Sequence, residues 1–76
     1  MSDLKKLLSD IFEIKEDEIA DEISMKTIEN WDSLKHMELI VSIEEKFNIR
    51  LTAYEIISMI DYKGIKNVLK NRGVEP

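Results

Sequence analysis

Cysteine is absent from the 76 residues, which removes disulfides, thiolate nucleophiles and Cys-based metal sites together. Glycine occurs twice and proline once, and no repeat or low-complexity linker interrupts the chain. No stretch approaches the ~20 apolar residues that span a bilayer. Residues 1–10 mix charges with leucines instead of forming the apolar core of a signal peptide, so a cytoplasmic location is expected. Basic residues are the minority, 11 against 16 acids for a net charge of −5. Nucleic acid is a poor partner for such a chain, because affinity for it comes largely from Lys and Arg neutralising phosphates. A chain this short holds one core and buries only about 60% of its unfolded surface. One domain over residues 1–76 is expected, and a self-contained enzyme is not.

What is present is helical periodicity, with no strand-like alternation anywhere. Leu4, Leu7, Leu8, Ile11 and Phe12 follow the spacing of one helix face and predict a helix over residues 3–14, with Ser2 as N-cap and Asp3 in its first turn. Residues 15–32 change character: Glu16-Asp17-Glu18 and Asp21-Glu22 surround the single apolar residues Ile19, Ile23 and Ile28, which predicts an ordered loop pinned by those isoleucines. From Leu34 to Phe47 the apolar positions cover more than half a helix circumference, as a central helix would. Asp32 is placed to cap its start, and Asn48, which tolerates the left-handed conformation, to end it. Thr52-Ala53-Tyr54-Glu55 reads as a capping box opening a short helix with Ile56, Ile57 and Met59. Asp61 can cap a last helix containing Ile65, Val68 and Leu69, which Gly73 closes. The fold class is all-α, a four-helix bundle with helices long, long, short and medium.

The segment that can carry chemistry is Asn30-Trp31-Asp32-Ser33-Leu34. A serine in the first turn of the central helix sits where unpaired N–H groups and the positive end of the helix dipole favour a phosphate. The plainer reading, that Asp32 and Ser33 merely cap the helix, is favoured by about two to one on local grounds. A hydrolase triad from Asp32, Ser33 and His36 fails, since adjacent Asp and Ser point apart and nothing supplies an oxyanion hole. Residues 16–22 lack the ligand spacing and glycine of an EF-hand, so no metal site is expected. His36 reads as a surface histidine.

Asp32-Ser33-Leu34, followed by Met37-Glu38-Leu39-Ile40-Val41-Ser42-Ile43-Glu44-Glu45-Lys46-Phe47-Asn48-Ile49, resembles the acyl carrier protein family. The likeness extends over essentially the whole chain: long first helix, acidic loop, Asp-Ser-Leu opening the second helix, short third helix and a fourth with Ile65, Val68 and Leu69. The resemblance implies a bundle that is not itself an enzyme. Its serine, Ser33 here, is esterified by a phosphopantetheinyl transferase, and the covalent 4'-phosphopantetheine thiol carries an acyl group as a thioester. A chain without cysteine fits that role, because the thiol must then come from an added group.

The same resemblance implies partners, namely the transferase and the enzymes that load and use the acyl group, met by a monomeric carrier. Asp32 serves as cap or as helper to the transferase's metal, and Asp32, Leu34, Met37, Glu38, Val41, Glu44 and Glu45 are the candidate partner-binding residues. Residues 1–48 carry a net charge of −7 and residues 49–76 one of +2, so the acidic face belongs to the first two thirds. Any one of these glutamates is as easily a solvated surface residue, and Met37 and Val41 divide evenly between core and partner contact. Leu39, Ile43 and Phe47, with Ile40, Ile56, Ile57 and Ile65, are candidates to line a shelter for the acyl chain.

Four residues depart from the common family pattern: Asn30 in place of glycine, Trp31 in place of a small residue, and Lys35-His36 where acidic and small residues are usual. Crowding of the attachment point by Trp31, Lys35 and His36 predicts a specialised carrier that general fatty-acid enzymes load poorly. Fatty-acid, polyketide, polysaccharide and D-alanine carriers are all compatible with the resemblance. The rival from another class is an unmodified helical module that binds a partner helix through Met37 and Val41.

Overall fold

The computed structural model describes residues 3–75, so the expected cap Ser2 lies outside the described residues. Four helices follow one another: α1 (Asp3–Phe12), α2 (Ser33–Phe47), α3 (Ala53–Ser58) and α4 (Tyr62–Asn71). A single 3-10 turn (Glu16–Glu18) interrupts the long connection between α1 and α2. Among the described residues the only strand-like pairing is one antiparallel bridge, Ser24 with Asp61.

The predicted starts of α2, α3 and α4 are each found with their side-chain cap. Asp32 Oδ1 accepts from Lys35 N at 2.9 Å, Thr52 and Glu55 form the reciprocal box, and Asp61 Oδ1 accepts from Gly64 N. A cap of this kind contributes about 1 kcal/mol by satisfying an N–H that the helix leaves open. Gly64 is needed for space, because a Cβ there would lie 2.6 Å from the Ser58 carbonyl oxygen.

Three helices end by one device. Glu13, Asn48 and Gly73 adopt left-handed backbone at φ 57°, 54° and 76°. The residue after each turns back to bond a carbonyl five positions earlier: Ile14 N to Ser9 O, Ile49 N to Glu44 O and Val74 N to Leu69 O. Each of those residues is apolar and packs against the core, so the reversal is held by burial as well as by its hydrogen bond. Asn48 and Gly73 were legible stops; Glu13 was not, since a left-handed glutamate costs about 1 kcal/mol relative to glycine. The first helix therefore ends at Phe12, two residues before its predicted end, and is no longer than α4.

One cluster of buried side chains joins all four helices. Leu4, Leu8, Ile11 and Phe12 come from α1, Leu39, Ile40 and Ile43 from α2, Met59 from the end of α3, and Tyr62, Ile65, Val68 and Leu69 from α4. The loop is pinned as expected, with Ile19 buried and Ile23 and Ile28 packed against the cluster. Two main-chain bonds also stitch it to the α3–α4 link, Met25 N to Ile60 O at 3.0 Å and Tyr62 N to Ile23 O at 2.9 Å. Lys66 adds an ion pair to Asp21 while lying 4.6 Å from the Tyr62 ring centroid.

α3 is tied to α4 by Arg72, whose guanidinium grips both oxygens of Glu55. That hydrogen bonding, with the Thr52 N–H, holds the Glu55 carboxyl down from 4.5 to about 2. A carboxyl depressed in the folded state stabilises the fold above its unfolded value, and the contribution is lost as pH falls from about 4.5 through about 2. Carboxyl titration followed by NMR is expected to place Glu55 near 2. Arg72→Gln should move it up toward 4.5 and flatten that part of the stability profile. An unmoved midpoint would show that Arg72 is not the cause.

Candidate functional site

Ser33 is the first residue of α2 and is exposed, as are Asp32 before it and Leu34 after it. With the Asp32 carboxylate engaged by Lys35 N and the Asp32 carbonyl by His36 N, the serine hydroxyl is left at the open end of a 15-residue helix. The N–H groups of that first turn point outward and the helix dipole is positive there, an environment suited to a phosphodiester on the serine oxygen. Ser33 is open to solvent, as are both of its chain neighbours.

At about 100° per residue, Leu34, Met37 and Val41 fall on one side of α2, opposite Leu39, Ile40 and Ile43. Their relative exposures, 80%, 52% and 48%, resolve Met37 and Val41 as surface rather than core. Glu38 and Glu45 lie exposed along one edge of this stripe. Glu44 on the other edge is half-buried, and its Oε2 accepts from Leu51 N at 2.8 Å, so it holds the turn after α2. Leu34, Met37, Glu38, Val41 and Glu45 are thus brought to one face, with Asp32 committed to the cap of α2 and Glu44 to the loop. Near its far end a groove of about 420 Å³ is lined by Val41, Glu44, Glu45, Asn48, Ile49 and Arg50.

Three expectations near Ser33 are corrected. Trp31 does not crowd the attachment point: it is 2% exposed, its ring centroid 4.7 Å from that of Phe12. His36 is not a surface histidine, for it is half-buried with both ring nitrogens bonded, Nδ1 to the Trp31 indole at 3.1 Å and Nε2 to the Ile56 carbonyl at 2.9 Å. Lys35 does not offer a free cation to a partner either. Its Nζ donates to Ile11 O at 3.2 Å, sealing the end of α1, and lies 3.6 Å from Glu38.

Ile57 also departs from expectation, being 72% exposed instead of lining the interior with Ile40, Ile43 and Ile65. Tyr54, at 82%, stands beside it on the outer side of α3. Six residues are too few for periodicity to say which of the adjacent Ile56 and Ile57 faces in, so this apolar surface could not be read from sequence.

The arrangement of an exposed serine at the mouth of the central helix of a small bundle has a counterpart among known proteins. The family described as a phosphopantetheine attachment site matches residues 2–69. This chain belongs to the acyl carrier protein family. It is also similar to polyketide-8 synthase acyl carrier protein 1 of Streptomyces avermitilis, 27% identical over 63 residues that cover 83% of this chain and 75% of that one. As a member it is a carrier of covalent 4'-phosphopantetheine rather than an enzyme, and its partners are enzymes of a pathway. Among the described residues, no helix is long and apolar enough to cross a membrane.

Proposed function

We propose that Ser33 bears the phosphopantetheine and that this chain, as one monomeric carrier unit, holds an acyl group and delivers it to partner enzymes. The observation that carries the reading is the exposed Ser33 hydroxyl at the start of α2, with Asp32 capping the same turn. When bound, the group supplies a thiol that carries the acyl chain as a thioester. The protein supplies a soluble body, a fixed point of attachment and a docking face. Once docked, the tether turns the meeting of acyl group and active site into an intramolecular event at high effective concentration.

Leu34, Met37 and Val41, edged by Glu38 and Glu45, make that docking face. Such a surface favours partners with a basic rim around an apolar contact. The relative named for polyketide synthesis supports a specialised pathway of that kind, and a cytoplasmic setting is part of the same proposal. Trp31, Lys35 and His36, turned inward, no longer speak for specialisation by crowding.

Intact mass of the protein from its own cell tests the carrier reading: one added phosphopantetheine, on the peptide containing Ser33, is expected. An unmodified mass there, together with no gain from several transferases, would leave the helical interaction module. For docking, partner association should slow as salt rises, since exposed charges are screened beyond ~8 Å at physiological ionic strength. Glu38→Lys with Glu45→Lys should slow it further, with only a small loss of stability from the Lys35–Glu38 pair. Insensitivity to both would remove the acidic rim from the interface.

A further inference from the structure

The residues flanking Ser33 are bound into the ends of two other helices. Asn30 Nδ2 donates to Phe12 O and Lys35 Nζ to Ile11 O, each at 3.2 Å, closing α1. Trp31 Nε1 and His36 continue the chain of bonds to Ile56 O, in the last turn of α3. An indole nitrogen can only donate, so His36 Nδ1 must be the bare ring nitrogen. The proton of the neutral imidazole is then on Nε2, where it donates to the Ile56 carbonyl. That carbonyl is one of those a helix end leaves without a full partner, its other donor being Met59 N at 3.3 Å.

α3 needs such help. Six residues are far below the length at which a helix persists alone, and Tyr54 and Ile57 bury little. Arg72 ties α3 to α4, while His36 ties it to the first turns of α2, one turn from Ser33. We propose that His36 is a positioning residue, a neutral imidazole oriented by Trp31 that latches α3 onto the start of α2 and so sets how readily the seam between them opens. The consequence for a carried acyl group rests on the reading of Ser33 as attachment point; the latch itself does not.

The test uses the protein before modification, by amide hydrogen exchange and by NMR of the ¹⁵N-labelled imidazole. The ring is expected in one neutral tautomer, protonated on Nε2. His36→Phe should speed exchange of the α3 amides about tenfold more than that of the α1 and α4 amides, the size of the one hydrogen bond that α3 itself loses. His36→Gln keeps one donor and one acceptor and should recover most of that protection. Trp31→Phe removes only the indole donor and should give mixed tautomers and a smaller rise. Equal acceleration in all helices, no change in α3, or His36→Gln behaving as His36→Phe would each overturn the latch. If His36→Phe does not fold, a ring protonated on Nδ1 in the unmutated protein overturns it alone. Absence of phosphopantetheine on Ser33 with the expected exchange pattern would sink the proposed function and leave the latch standing.

Discussion

Ser33→Ala is expected to take up no phosphopantetheine from coenzyme A, magnesium and a phosphopantetheinyl transferase, whereas the unmutated protein gains one such group. The expected effect is all or none, because the serine oxygen is itself the atom that would form the phosphodiester. Stability should barely change. Ser33 is exposed, makes no described side-chain contact, and the cap of α2 is Asp32. Intact mass and helical circular dichroism on the same sample decide the matter. A mass gain that persists in Ser33→Ala would move the attachment elsewhere, and loss of helicity would make the missing gain uninformative about the hydroxyl.

Trp31→Ala is expected to be the most damaging single change near the site. The indole is 2% exposed, packs on Phe12 and donates to His36. Removing a buried large aromatic costs about 3–5 kcal/mol, and a domain of this size has only about 5 kcal/mol in all. Much of the variant should be unfolded at room temperature, and its urea midpoint should fall accordingly. Trp31→Phe retains most of the packing and should lose about 1 kcal/mol through the missing hydrogen bond. A near-native midpoint for Trp31→Ala would contradict this role. So would better acyl loading by Trp31→Ala, the result expected if the indole merely crowded Ser33.

Periodicity and capping made most of the fold legible. Leu4, Leu8, Ile11 and Phe12 are buried as their spacing required, and Asp32, Thr52-Glu55 and Asp61 cap the helices they precede. Those signals are local: a cap spans four residues and an amphipathic face two turns, so the chain states them without reference to its neighbours. Ser33 as a candidate attachment point came from the resemblance of the whole frame, since local signals alone favoured a plain cap.

What sequence could not give were the partners of side chains that reach across the fold. Asn30, Trp31, Lys35 and His36 looked like departures from a pattern, yet Asn30, Lys35 and His36 bond Phe12, Ile11 and Ile56, as many as 24 positions away, and buried Trp31 bonds His36. Glu44 was a candidate docking acid by resemblance, and the turn that returns Leu51 N to its carboxylate engages it instead. Helix ends are the physical reason. Each leaves carbonyls or N–H groups unpaired, and which distant donor satisfies them depends on how the helices are brought together. Residue types, periodicity and caps therefore determined the helices and the buried faces of α1 and α4, whereas the places of Trp31, Ile57, Met37 and Val41 in or out of the core came only from the tertiary structure. Tertiary structure alone decided which polar residues around Ser33 stay exposed and which hold the bundle shut.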